Sequence, residues 1–490
     1  MTNAEMERLC WFDEKIQAIA RDFGLDFLPQ EFDIVPAQKM LEILAYRFPV
    51  NFSHWSFGRD YEGARTRYEH GLGIPYEVVL NSDPSRAYLM NTNPLPVQVM
   101  VMAHVYSHND FMKNNIHFRA TRRDMVPSAA ASALRFQDYE KEHGLERVER
   151  LIDAALSIEL NVDPEGLAGE KDEQDRSRRA RAKPDGPRPR SAYAELMPDK
   201  KESPGPEEGG RFVETKRTPE RDLLLYIMNH SPKPLEDWET DILSVLRDQS
   251  LYFLPQRRTK IMNEGWAAYW HMRVMGRLFE EGDLDSKEHG AYNHCNAQVL
   301  ASDPRTFNPY LVGMKIFEDI EERWDKGRFG REWEECEEQA RREGWDRKLG
   351  QGRTKMFDVR RGYTDRFFIE AFLTRERVER LELYLYQGRL LNGEIQYAIR
   401  DRDWRVVKNM LVTYLSNFGI PVVLVEDGDY KGRRELYLKH AYEGIELDDE
   451  YRRKTMEAIF HLWARPVHLE SVVRGETVVF SYDGGEEKRP

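Results

Sequence analysis

Cysteine is scarce in this 490-residue chain: Cys10, Cys295 and Cys336 are odd in number and far apart. No CxxC pair exists, so neither a disulfide framework nor a cysteine zinc knuckle is readable, and a reducing compartment is the simplest setting. A basic excess is also lacking. The net charge of -13 argues against a general nucleic-acid binder, which needs a basic face to displace counterions. Long apolar runs are missing as well. LLLYIM, near residue 225, falls far short of the roughly 20 residues that span a bilayer. The opening MTNAEMERLCWFDEK has no basic stretch followed by an apolar core, so no secretory signal is expected and the cytoplasm is the expected location. There is no Walker A string, no GxGxxG before a helix and no GxSxG elbow. Nucleotide binding and serine hydrolysis therefore have no positive support.

What is present is material for a sizeable core: 40% of residues are apolar and 11% aromatic, enough for two to four domains at this length. Residues 1–50 read as amphipathic helix with loops, the run from Asp33 to Arg47 being close to helical period. IPYEVVLNSDPSRAYLMNT gives two short β-branched or aromatic runs around a turn, a small hairpin or two edge strands. Residues 95–114 and 145–161 are expected helices. From about 168 to 218 the chain is rich in charge, proline and glycine and cannot offset its ordering entropy, which predicts a disordered insert carrying a basic cluster, RSRRARAK. Helical pattern resumes at Glu220. One helix is capped by Glu236 or Asp237; a second runs from Thr259 to Glu281 and stops at Gly282. A third begins at Asn308 with Pro309 in its first turn. Residues 331–346 read as charged helix. From 364 onward, alternating runs, a hairpin signal at GDYKG and two amphipathic stretches predict a ββαββαβ unit.

The expected fold class is therefore α+β: a large, mainly helical N-terminal domain with a small C-terminal α/β domain. Its parts are a helical core in two pieces (1–167 and 219–350) around the insert at 168–218, the small domain at 364–475, and a tail at 476–490.

Chemistry concentrates on two of the helices. His104 and His108 are spaced i, i+4 in MAHVYSH, which sets two imidazoles side by side on one face, the geometry of helical two-histidine metal sites. Val105 stands where an HExxH metallopeptidase keeps its general-base glutamate. In NEGWAAYWH, Glu264 and His271 are two turns apart and share a face, so both could approach the first helix. Burying Glu264 unpaired would be expensive, and a metal, an arginine or a water-filled cleft would remove that objection. His294, Tyr68, Glu69 and His70 are further residues that could line the same cleft.

The strings YEHGLGIPYEVVLN, MAHVYSHNDFMKNN, PQRRTKIMNEGWAAYWH, NPYLVGMKIFEDIEERWDKGRFG, VVLVEDGDYKGRRELYLKHAYEG and HLWARPVHLE closely resemble the bacterial stage V sporulation protein R (SpoVR) family. The likeness runs in order from about residue 10 to 472, outside the charged insert. It implies a link to spore-cortex formation or, in bacteria that make no spores, to stress response. It also implies partner proteins, among them a serine protein kinase and a second protein encoded nearby. NEGWAAYWH further resembles the EGWA(x)Y string of zinc-peptidase-like families, in which that glutamate is the third metal ligand. This second likeness implies a zincin-like helical core, with zinc or another divalent ion on His104, His108 and Glu264, and with His271 or Asp110 in place of the missing base. The activity so implied is a metal-dependent hydrolase acting on peptide or cell-wall material. The alternative is a non-enzymatic regulator or scaffold.

Overall fold

The computed structural model describes residues 2–50, 52–70, 77–163, 220–303, 306–391 and 394–485. The expected disordered insert and its basic cluster lie outside these. The elements run α1 (Asn3–Asp22), β1 (Gln30–Val35), α2 (Ala37–Ala45), α3 (Trp55–Glu69), β2 (Glu77–Leu80), β3 (Ser85–Met90), α4 (Leu95–Asn114), α5 (Met125–His143) and α6 (Leu145–Leu156). Next come α7 (Leu223–His230), α8 (Asp237–Arg258), α9 (Lys260–Glu280), α10 (Ser286–Val299), α11 (Pro309–Lys326), α12 (Gly352–Gly362), α13 (Asp365–Phe372) and α14 (Arg375–Arg380). The series closes with β4 (Leu385–Leu391), β5 (Glu394–Asp401), α15 (Trp404–Asn417), β6 (Val423–Tyr430), β7 (Glu435–His440), α16 (Asp449–Trp463), β8 (Val467–Val473) and β9 (Glu476–Tyr482). The protein is α+β, mainly helical, with a small C-terminal sheet. No described helix is long and apolar enough to cross a membrane.

The chain forms two compact units: Met1–Leu160 with Leu235–Pro421, and Asn161–Pro234 with Val422–Pro490. In the larger unit, β1, β3 and β2 form a sheet in that order. β1 lies parallel to β3 (Gln30↔Ser85 to Val35↔Met90), and β2 lies antiparallel to it (Glu77↔Leu89 to Leu80↔Arg86). The β2–β3 pair is the expected hairpin. β1 corrects the helical reading of residues 33–47: QEFDIV is a strand, and helix begins only after Pro36, which cannot donate to a ladder. The charged stretch 331–346 is also not one helix but two short turns, Arg331–Glu334 and Gln339–Glu343. Between them the Arg342 guanidinium donates to the carbonyls of Trp333 and Cys336, capturing acceptors that a continuous helix would use.

One core cluster of this unit joins α1, β3, α4, α9 and α10 through Phe12, Leu89, Val101, Val105, Met275 and Tyr292. A second gathers Trp266, Trp270 and Phe317 with Phe368, Phe372, Val407 and Leu415. Val407 and Leu415 put α15 in the large unit, so the small domain does not begin at 364. α9 and α11 approach most closely where two glycines meet. A Cβ on Gly265 would sit 2.3 Å from the Gly313 carbonyl carbon, and one on Gly313 would sit 2.1 Å from the Ile261 oxygen. Only glycine fits on both sides of that seam.

The smaller unit carries a sheet in the order β6-β7-β8-β9. β7 and β8 are parallel (Leu436↔Val467), which requires a crossover, and α16 supplies it. Asp448 caps α16 by accepting from the Glu450 and Tyr451 amides. β9 pairs with β8 along its whole length, so 476–482 is sheet rather than tail. Glu220 bridges to Val425, and Tyr226 of α7 stacks on Trp463.

Candidate metal centre

Two helices of the large unit meet at the histidine pair. α4 starts behind Pro94, has Pro96 in its first turn, spans the expected residues 95–114, and is buried along nearly all its length. α9 starts at Lys260 without a side-chain cap of its own. Asp365 of α13 supplies the missing acceptor from a distance, taking the Ile261 and Met262 amides at 2.8 and 2.9 Å. Those amides would otherwise be orphaned at the helix start. This cap fixes the first turn of α9, where Asn263 and Glu264 sit.

The imidazoles of His104 and His108 stand perpendicular, with centroids 4.5 Å apart. Their Nε2 atoms lie 3.6 and 3.3 Å from Glu264 Oε2. A second carboxylate arrives from β2: Glu77 Oε1 is 3.9 Å from His104 Nε2. One ligand atom each from Glu77, His104 and His108 fall within 4.8 Å of one another. Tyr310 of α11 stacks over His104 at 5.9 Å, held there by the glycine seam one turn further on.

Charge follows from this crowding. Burial alone would push the Glu264 carboxyl up, but the two imidazoles outweigh it and hold it well below the usual carboxylate range. Burial raises Glu77 despite the same imidazoles. Burial would lower His108, yet Glu264 and Asn263 leave it raised. Burial and the Glu264 and Glu77 charges push the Tyr310 hydroxyl up, so it keeps its proton.

The outer nitrogens settle how the rings present themselves. His108 Nδ1 lies 2.9 Å from Asn263 Oδ1, an acceptor, so Nδ1 donates to it, and Nε2, which faces Glu264, is the nitrogen left to hold an ion once it gives up its proton. His104 Nδ1 lies 2.9 Å from His271 Nδ1, and His271 Nε2 lies 2.9 Å from Asn296 Oδ1. With the Asn296 amide so oriented, His271 donates from Nε2 and accepts at Nδ1. His104 then donates from Nδ1 and presents its Nε2 lone pair. Burial and the neighbouring His104 lower His271 to about 3, which keeps it neutral. His271 is thus placed behind His104 as an orienting partner rather than against an incoming substrate.

The set fits a divalent ion. Ligands bound at about 2.0–2.2 Å around a tetrahedron lie roughly 3.3–3.6 Å from one another. The two Glu264 contacts match this, and the Glu77 contact exceeds it by a few tenths of an ångström. His104 Nε2 and Glu264 Oε2 are buried and make no hydrogen bond, the condition an ion relieves.

Asp110 does not share the site. It is two positions past His108, on the far side of α4. Its oxygens accept from Arg360 at 2.5 Å, Trp266 Nε1 at 2.8 Å and the Asp26 amide at 2.7 Å. The assignment of Asp110 as base therefore gives way to a structural one: the buried carboxylate is held by Arg360, Trp266 and the Asp26 amide on the side of α4 turned away from the histidines. His294 is exposed and contacts Gln298; Glu69, also exposed, pairs with Arg65; and His70 is exposed at the end of α3. Tyr68 is half-buried in the last turn of α3. Sequence reasoning missed Glu77, Asn263, Asn296 and Tyr310. Glu77 shares a strand face with Val79, which packs on both cores, but EVVL carries no polar–apolar alternation that would have marked it. Val105 is fully buried in apolar surroundings, so the helix has no room for a carboxylate there.

Two family models match the chain. The one described as SpoVR like protein matches residues 3–420, and the one described as SpoVR-like C-terminal domain matches residues 421–474. The boundary falls where the two compact units part after Pro421. An Escherichia coli (strain K12) relative named "Uncharacterized protein YcgB" is 28% identical over 485 residues, covering 93% of this chain and 90% of its own. No solved structure matches. The chain belongs to the SpoVR-like family.

Proposed function

We propose that this SpoVR-like protein holds a divalent metal ion, zinc in the first instance, on His104, His108 and Glu264, and hydrolyses an amide bond in peptide or cell-wall material. The observation that carries the reading is the pair of buried atoms without a hydrogen bond, His104 Nε2 and Glu264 Oε2, 3.6 Å apart, with His108 Nε2 3.3 Å from the same oxygen. An ion bound there supplies Lewis acidity to a carbonyl and acidifies water. The chain's own residues do the rest. Asn263 and the His271–Asn296 relay fix both imidazoles as Nε2 ligands. Glu77 brings a carboxylate of raised pKa to the centre from the strand side, the role that Val105 cannot fill. Tyr310 keeps a proton available beside Glu264. We take the compartment to be the cytoplasm, in keeping with three scattered cysteines.

A second reading rests on Glu77 itself. Two histidines and two glutamates complete a tetrahedral shell, and closed shells are structural whereas catalytic ones keep a position open. The protein would then be a metal-stabilised regulator working through partners, a serine protein kinase being the one the family resemblance implies.

Elemental analysis of untagged protein tests the proposal. One equivalent of metal in the wild type, lost in His104→Ala and Glu264→Ala, is expected; no metal after loading with zinc, manganese, iron or cobalt overturns it. Glu77→Gln separates the readings. Metal retained with loss of peptide or muropeptide cleavage marks Glu77 as the base. Metal lost marks it as a fourth ligand and favours the regulator.

A further inference from the structure

A second cleft in the large unit shares no residue with the metal centre. It encloses about 370 Å³ between the end of α6, the segment before α3 and one face of α8. Phe52, Phe57 and Phe253 form its apolar walls, with Val50, Leu156 and Leu160 beside them. Gln249, Ser250, Phe253 and Arg257 fall within about 100° of one another around α8, so a single helix face presents them all.

The polar atoms on that face are unusual. Gln249 Nε2, Ser250 Oγ and Arg257 Nε are buried and make no hydrogen bond. Gln249 and Ser250 are only 5% and 3% exposed. All three atoms can donate, and Gln249 Nε2 and Arg257 Nε can only donate. A native core tolerates few such groups, and three in one cleft are matched by a ligand that brings acceptors. The other charges agree. Glu159 pairs with Arg47 at 3.2 Å and also interacts with the Arg257 charge, while the Arg257 guanidinium makes a hydrogen bond to the Ser250 carbonyl at 3.3 Å. Arg47 and Arg257 against Glu159 leave the lining one positive charge in excess. Size and apolar walls fit a small organic molecule rather than a bare ion.

We infer that this cleft binds a small amphipathic carboxylate, its aryl or branched-alkyl body among Phe52, Phe57 and Phe253 and its carboxylate on Gln249, Ser250 and Arg257. A carboxylate offers about four lone-pair positions, enough for the three donors. The guanidinium provides the charge-assisted contact that sets affinity.

Calorimetry with 3-phenylpropionate on the full chain is the test, with 3-phenylpropanol and inorganic phosphate as controls. Saturable binding with a Kd near or below about 1 mM is expected for a ligand of this size. The alcohol should bind at least about tenfold more weakly, since it forgoes the charged hydrogen bond. Arg257→Gln should cost a similar factor. Gln249→Leu removes a buried unpaired donor, so it should weaken binding while raising Tm, an outcome that a merely structural glutamine would not give. Should Arg257→Gln fail to fold, Gln249→Leu carries the test alone. Absence of saturable binding up to about 10 mM overturns the inference. So does phosphate binding as well as phenylpropionate, or undiminished affinity in Gln249→Leu.

Discussion

Two alanines in one helix should change stability in opposite directions. Gly265 and Gly276 both lie in α9, and an alanine at either gains about 0.8–1 kcal/mol of helix propensity. A Cβ at Gly276 meets nothing within 4 Å, so Gly276→Ala should stabilise by about 0.5–1 kcal/mol. At Gly265 the same methyl would lie 2.3 Å from the Gly313 carbonyl carbon, 2.4 Å from its Cα and 2.6 Å from the Met314 nitrogen. These are backbone atoms and cannot swing aside. Carbon–carbon contacts settle near 3.5–4.0 Å, so α9 and α11 must part by roughly 1 Å, enough to forfeit a quarter to a half of the dispersion well at each contact along the seam. Trp266, Met314, Ile316, Phe317 and Ile320 all belong to that core. With overpacking strain of about 1–3 kcal/mol added and the propensity gain set against it, Gly265→Ala should destabilise by about 1–3 kcal/mol net. The assay is urea unfolding followed by tryptophan fluorescence, since Trp266 and Trp270 report on this core directly. If Gly265→Ala came within about 0.5 kcal/mol of wild type, the seam would not be what holds these helices together.

Asp110→Ala should destabilise by about 3–5 kcal/mol, because it strands the buried Arg360 guanidinium that Asp110 meets at 2.5 Å; the fraction that folds should keep its metal, and loss of metal with full stability would return Asp110 to the site. Asp365→Ala removes the remote cap on α9 and should cost about 1–2 kcal/mol in chemical denaturation, a null effect being the contrary result. In the smaller unit, burial holds His440 below its ordinary pKa. The unfolded chain therefore binds the extra proton first, and this contribution to stability is complete above about pH 6.5 and lost as pH falls toward the folded value. His440→Gln should flatten that acid limb in pH-dependent melts, and an unchanged slope would contradict the assignment.

How much of this was legible follows from the range of the forces involved. α4, α9 and α11 begin and end, and α8 begins, within a residue or two of the positions read from sequence, because their boundary signals are local: Glu236 before α8, Gly282 after α9, Asn308 and Pro309 at the start of α11; α8 runs past its expected end, through Pro255, to Arg258. The histidine pair and Glu264 were legible for the same reason, as helical spacing fixes which side chains share a face. β1 was not. QEFDIV is half polar, and its strand state comes from parallel pairing with Ser85–Met90, some 50 residues away. The small domain's start was misplaced because Val407 and Leu415 look amphipathic in any context. Only the packed core shows that their partners are Phe368 and Phe372.

Glu77 marks the limit most clearly, and it also bears on the chemistry. A glutamate opening a short strand reads as a solvated rim residue. Its inward aim depends on the antiparallel register Glu77↔Leu89, and a slip of one residue would turn it to the other face. A metallopeptidase helix carries ligands and base together, so its geometry survives as a string. Here Val105 gives that helix position to the core, and the second carboxylate arrives on an element whose placement is set by β3. The hydrolase reading therefore turns on sheet register rather than on the helix motif. Val79→Glu tests that dependence. It puts a second carboxylate on the inward face of β2, against both cores, where an unpaired charge is expensive. The strand should respond by fraying or slipping, withdrawing Glu77 while leaving His104, His108 and Glu264 in place. If Glu77 acts as base, this variant keeps its metal and loses cleavage, as Glu77→Gln does; if cleavage survives a displaced Glu77, the proton is handled elsewhere.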